Sequence, residues 1–130
     1  MRIALDTNIV IRFLTQDDEH QYRRAYAVFQ HPQLYIATTV FLEMEWVLRY
    51  AYEYDRSEII RAFRMLLGLS NIEAENPGIL AGALEWHQAG MDFADALHLA
   101  ASQHCDIFYT FDRKFAKKGK KISACEVKNP

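Results

Sequence analysis

Apolar residues in this chain arrive in two rhythms. Short continuous runs suit buried strands, and 3–4-spaced runs suit helix faces. Residues 2–5 form an apolar start and predict a first strand. Ile9, Val10, Phe13 and Leu14 predict a short helix over residues 7–14. Asp17 or Asp18 can cap a second helix to about residue 30, with Tyr22, Ala25, Tyr26 and Phe29 on one face. His31-Pro32 ends it, and residues 34–37 read as a second strand.

Thr38 and Thr39 are cap candidates for a third helix reaching residue 52, and Ser57 for a fourth, ending near Gly68. Residues 71–73 predict a weak third strand. Asn76-Pro77 opens a fifth helix that Gly90 stops, and Asp92 opens a sixth that runs to about residue 103. Residues 107–109 favour a strand, and residues 121–123 a last short edge strand. Alternation of this kind implies an α/β domain with a central, mainly parallel sheet and helices on both faces, a three-layer α/β/α arrangement. A chain of 130 residues fits one domain, residues 1–130.

Composition is that of an ordinary globular protein, with 51% apolar and 25% charged residues. No apolar run approaches a membrane span, and the start of the chain lacks the apolar stretch of a signal peptide. A cytoplasmic location without membrane contact is expected. Cys105 and Cys125 read as reduced thiols in structural roles, and no Cys/His spacing suggests zinc. The net charge of −2 hides a split. Residues 112–130 carry seven basic and two acidic side chains, and residues 1–111 carry eight and fifteen. The lysines at 114, 117, 118, 120 and 121 form either a solvated face or a guide for a polyanion.

In parallel α/β sheets, sites form beyond the carboxyl ends of strands. Asp6 and Asp112 follow two of the expected strands, on one sheet edge. Either acid alone would serve as a helix cap, but two like charges together need neutralising. In the third helix, Val40, Met44, Val47 and Ala51 mark an apolar stripe that includes Glu43. Glu45 lies off that stripe, where it can pair with Arg49 on the exposed side. An inward Glu43 needs an arginine or a metal ion. Asp92 and Asp95 share the first turn of the sixth helix; Asp92 suits a cap, whereas Asp95 sits among apolar neighbours. His98, in the same apolar helix, reads as packing or orienting. Hard oxygen ligands of this kind suit Mg²⁺, with Mn²⁺ as a substitute, and phosphate chemistry. Neither GxxxxGK[ST] nor GxGxxG is present, so nucleotide-cofactor binding lacks support. Trp46, Tyr50 and Tyr54, with Tyr52 nearby, form an aromatic stripe that suits core packing or a partner surface.

The motifs Asp6-Thr7-Asn8, Glu43 after the second strand, Phe93-Ala94-Asp95-Ala96-Leu97-His98 and Thr110-Phe111-Asp112-Arg113-Lys114-Phe115 resemble, in order, those of PIN-domain ribonucleases. The length is similar to that of VapC-type toxins of toxin–antitoxin pairs. The resemblance implies a Mg²⁺-dependent endoribonuclease acting on structured RNA of the tRNA or rRNA type. Asp6, Glu43, Asp95 and Asp112 would be the catalytic, metal-holding quartet. Asn8 would orient an acid, Thr110 would hydrogen-bond in the pocket, and Asp92 would join through water. The acidic body leaves the attraction of RNA to Arg12, Arg113, Lys114, Lys117 and Lys118. A cognate antitoxin and a homodimer are the implied partners. The alternative is a catalytically silent PIN-like module that binds RNA or protein.

Overall fold

The computed structural model describes all 130 residues, which divide into two compact units, Met1–Pro77 and Gly78–Pro130. In the first unit the order is β1 (Ile3–Ala4), α1 (Thr7–Thr15), α2 (Glu19–Phe29), β2 (Leu34–Ile36), α3 (Thr38–Ala51), α4 (Arg56–Leu67) and β3 (Ile72–Ala74). In the second, α5 (Pro77–Gln88) starts at the boundary, followed by α6 (Phe93–Ala100), β4 (Ile107–Tyr109), α7 (Arg113–Ile122) and β5 (Glu126–Lys128). No helix is long and apolar enough to cross a membrane.

The class is parallel α/β, and every strand pair is parallel. The strands form two hydrogen-bonded sheets, β1-β2-β3 in the first unit and β4-β5 in the second, where a single central sheet is expected from the sequence. In the first, Ile3 pairs with Leu34, and Leu34 with Ile72. In the second, Ile107 pairs with Glu126. Leu34 and Ile36 of β2, the middle strand, share one face and are fully buried, while Tyr35 on the other face is half-buried. The first unit is filled by Val10, Ile11, Phe41, Met44, Leu48, Ile59, Phe63 and Leu66. Phe41 and Phe63 meet edge to face at 5.3 Å.

Helix starts depart from the sequence expectations in instructive ways. Asp55, not Ser57, caps α4: its side chain accepts from the Glu58 N–H while Glu58 accepts from the Asp55 N–H. That reciprocal pair satisfies two otherwise orphaned donors, which a serine two residues later cannot do. Neither threonine caps α3. The N-cap position is Ala37, and Glu75 Oε1 accepts from the Thr38 N–H at 3.0 Å. Parallel pairing carries the end of β3 alongside the end of β2, so a distant carboxylate does the work of a local one.

The largest departure is the basic segment. Residues 121–123 do not form a strand; they close α7, and the edge strand lies later, at β5. Phe115, Ala116 and Gly119 supply a 3–4-spaced buried face under the lysines. That narrow stripe is easily hidden by a run of charge. Gly119 is required by packing: a Cβ there would stand 2.8 Å from Val127 Cγ2 of β5. Gly119→Ala is expected to destabilise the protein by about 1–2 kcal/mol, overpacking outweighing the gain in helix propensity. An unchanged denaturation midpoint in urea would show that β5 moves aside freely.

Candidate functional site

Three parallel strands direct their carboxyl ends to one edge of the first unit. Asp6 leaves that edge after β1 and caps α1, its Oδ1 accepting from the Thr7 N–H at 2.8 Å. Glu43 lies in the second turn of α3, which begins directly after β2. Glu75 follows β3 and caps α3. It is the acid at this edge that the sequence reading missed; an acid just past a strand is the signal, but the pull of Asn76-Pro77 toward a helix start concealed it.

The two glutamates of α3 exchange the burial expected of them. Glu43 is exposed, and Glu45 is buried at 3% exposure. The buried stripe runs Phe41, Met44, Glu45, Leu48, one position off the stripe built on Val40 and Val47. The Glu45–Arg49 pair does form, as two bonds of 2.7 and 3.1 Å, but with the carboxylate inside. So Glu45 has its arginine, and Glu43 accepts no hydrogen bond and faces solvent. The same rotation exposes Trp46 and Tyr50, whose rings meet at a tilt, 5.0 Å apart, on the surface rather than in the core.

In the second unit, Asp92 caps α6, accepting from the Asp95 N–H at 3.2 Å. Asp112 follows β4 and caps α7, accepting from the Phe115 N–H at 3.0 Å. Thr110 Oγ1 accepts from the Asp112 N–H at 3.0 Å and so fixes the turn that presents the carboxylate. Asp6 and Asp112, expected on one sheet edge, thus follow strands of different sheets. Asp95 is half-buried. Its carboxyl is raised above the ordinary value by desolvation, then by the charges of Asp92 and Asp112. His98 and Lys118 oppose that rise without cancelling it. His98 is exposed on α6 rather than packed.

The basic residues divide into held and open ones. Arg12, expected to meet RNA, is tied within the chain. It donates to Asp17 at 3.1 Å, Gln21 at 2.6 Å and Tyr52 at 2.8 Å. The Tyr52 and Thr15 hydroxyls and Arg12 also hold the Asp17 carboxyl below the usual range. A guanidinium with its own carboxylate is a poor free cation for phosphate. Lys118 donates to the Gly90 carbonyl at 2.7 Å, in the turn before α6. Arg113, Lys114 and Lys117 are exposed at the start and outer face of α7. Asn8 lends its amide to no acid; it lines a groove between α1 and α2. Both cysteines are free, Cys105 exposed and Cys125 buried.

Hard oxygen donors are the chemistry available to a metal here. Asp6, Asp92 and Asp112 each commit one carboxyl oxygen to a cap and leave the other unbonded. Glu43 and Asp95 accept no hydrogen bond. Within neither unit do three acids, histidines or cysteines converge on one point as a ready-made ligand shell. Carboxylate oxygens of this kind suit a hard divalent cation.

The PIN domain family model matches residues 3–121, nearly the whole chain and both units. The chain belongs to the PIN-domain family. PIN domains are generally nucleases, and those nucleases typically use divalent metal ions. Among curated proteins none matches the chain. Among solved structures, VapBC2 from Rickettsia felis, bound to a DNA fragment from their promoter, aligns over 99% of this chain and 98% of that one. Its identity is 14% and its TM-score 0.41.

In this PIN domain the raised carboxyl of Asp95 fixes a sign for stability. An aspartate whose folded pKa lies above its unfolded one binds its proton more tightly when folded. Stability therefore falls as pH rises from the ordinary carboxylate range through the raised value. Asp95→Asn, in chelator, is expected to raise Tm at about pH 7 and to give no gain at about pH 3, below the ordinary aspartate pKa. A variant less stable than the wild type at neutral pH would contradict the charge crowding. Glu45→Ala is expected to lose about 2 kcal/mol in urea denaturation, as its charge-assisted bonds are lost. Glu43→Gln should be neutral there, because nothing in the chain bonds to Glu43.

Proposed function

We propose that this PIN domain is a metal-dependent endoribonuclease that cleaves structured RNA of the tRNA or rRNA type. We assign it the role of toxin in a toxin–antitoxin pair, as a cytoplasmic homodimer held inactive by a cognate antitoxin. The observation that carries the nuclease reading is the stance of the aspartates. Asp6 and Asp112 each sit at a strand-to-helix junction, fixed by a cap through one oxygen and open at the other. Asp95 adds a half-buried carboxylate crowded by Asp92 and Asp112. Carboxylates with no cation of their own in a nuclease family are suited to a divalent ion. The toxin, antitoxin and dimer roles rest on the resemblance of the four motifs to VapC-type proteins.

Asp6, Glu43, Asp95 and Asp112 are the residues that would hold Mg²⁺, or Mn²⁺ in its place, with Asp92 joining through water. When bound, such an ion acidifies water and offsets charge on a phosphodiester. The chain's own part is positional. The cap bonds on α1 and α7 orient the Asp6 and Asp112 carboxylates, and Thr110 secures the turn behind Asp112. The exposed cations of α7 draw the RNA backbone toward Asp112 at the start of that helix.

Total bacterial RNA incubated with wild type and Asp95→Asn, each with Mg²⁺, Mn²⁺ or EDTA, tests the reading. Discrete metal-dependent bands from the wild type alone are expected. No cleavage by a folded wild-type protein with any metal would favour the silent binding module. A separate test concerns α7. Replacing Lys114, Lys117, Lys120 and Lys121 by Gln is expected to weaken RNA binding and to lower its log–log salt slope by up to ~3 for a single strand. An unchanged slope would leave these lysines as solvated surface only.

A further inference from the structure

A groove of about 380 Å³ lies between α1 and α2, wholly within the first unit. Ile9 and Val28 give it an apolar wall, and Asn8, Gln21, Arg12 and Arg24 give it a polar rim. The groove opens in the first turn of α1, the helix that Asp6 caps, so its upper end lies two residues along the chain from a proposed catalytic carboxylate. Of these rim groups, Arg12 and the Gln21 oxygen are bonded to each other, whereas Asn8 and Arg24 have no partner in the chain.

The rim combines two kinds of recognition. Arg24 makes no hydrogen bond or ion pair in the chain. It contrasts with its neighbour Arg23, which is bonded to Glu19 at 2.6 Å. A free guanidinium beside a cavity suits a phosphate or carboxylate, which it can grip with two parallel bonds. Asn8 and Gln21 are amides, each with a donor and an acceptor end. Gln21 has its oxygen fixed by Arg12 Nε at 2.6 Å, which leaves its NH₂ pointing away from that bond and available. Amides beside an apolar wall match the edge and the face of a nucleobase. An acidic peptide would use the cation but would leave the amide pair and the apolar wall without matched partners. Arg12, its charge balanced by Asp17, acts here as a brace for Gln21.

We infer that the α1–α2 groove is a subsite for one unpaired nucleotide of the RNA strand, with Arg24 on its phosphate and Asn8 and Gln21 on its base edge. The groove has room for about one nucleotide, and a base can offer its pairing edge to the two amides only where it is unpaired, as in a loop. This inference rests on the ribonuclease reading for its biological meaning, but its test needs no turnover.

The full chain, in chelator, is titrated with each of the four nucleoside 5′-monophosphates and with inorganic phosphate, by NMR or calorimetry. At least one nucleotide is expected to bind more tightly than phosphate and to discriminate among bases. Arg24→Gln should weaken it about tenfold, the loss of a charged bidentate contact, and Arg23→Gln should leave it unchanged. Val28→Phe, which fills the groove from a half-buried position, should abolish it with the helical circular dichroism intact. The inference is overturned by phosphate binding as tightly as every nucleotide, or by an unaffected Arg24→Gln protein. It is also overturned by a short poly-glutamate peptide that displaces the nucleotide with higher affinity, which marks the groove as a protein-binding face. Base-selective binding by a protein that cleaves no RNA would support the groove and sink the nuclease. Metal-dependent cleavage with no nucleotide bound in the groove would do the reverse.

Discussion

The first turn of every helix leaves backbone N–H groups without partners, and they must find acceptors. In this protein that need is met by carboxylates at nearly every strand-to-helix or loop-to-helix junction. Asp6, Asp18, Asp55, Asp92 and Asp112 each cap the helix they precede, and Glu75 caps α3 from the end of the next strand. A parallel sheet sends each strand's end into such a junction, so capping and the placing of acids beyond the strand ends are one event. The helix dipole makes each site tolerant of negative charge. A carboxylate fixed through one oxygen keeps the other for a ligand, and its rotamer is already set.

Glu43 and Asp95 stand apart from that arrangement. Neither caps a helix and neither accepts a hydrogen bond, so their charge is unrelieved by the backbone. Asp95 carries the penalty visibly, with its carboxyl raised by burial and by its acidic neighbours. Glu45, two positions from Glu43, shows the opposite outcome: buried, but met by both arms of Arg49. The same residue type on one helix is thus neutralised where it serves the core and left bare where it faces outward. Crowded acids cost stability, and Asp95 is where this chain shows that cost.

Charge is arranged on a coarser scale too. The body is acidic, and the surplus of cations is concentrated on the outer face of α7, the helix that Asp112 caps. Arg12 and Lys118 are tied to Asp17 and to the Gly90 carbonyl, each at a local junction. Arg24 stays unpaired beside the α1–α2 groove. A polyanion approaching such a surface meets attraction in a few defined places and repulsion elsewhere, which favours register over general stickiness.

The sequence by itself determined the order and type of most elements, because apolar spacing and breakers such as His31-Pro32, Asn76-Pro77 and Gly90 act locally. It also placed Asp6 and Asp112 beyond strands and Asp95 in the first turn of α6, since those follow from element order alone. Motif order sufficed to identify the family. What only the tertiary structure decided depends on contacts distant in sequence. The rotation of α3, set by packing of Phe41 and Leu48, put Glu45 inside and Glu43 out, a shift of one position that apolar spacing does not resolve when Val40 and Val47 offer a rival stripe. The cap on α3 comes from Glu75, thirty-seven residues on. The helix under the lysines packs Gly119 close against Val127 of β5, a contact that no local pattern announces. Likewise the fates of Arg12 and Arg24, one bound and one free, were settled by what each side chain meets across α1, α2 and the start of the Tyr52 turn. Local sequence fixes where a charge enters the chain; its partners, and hence its use, are fixed by packing.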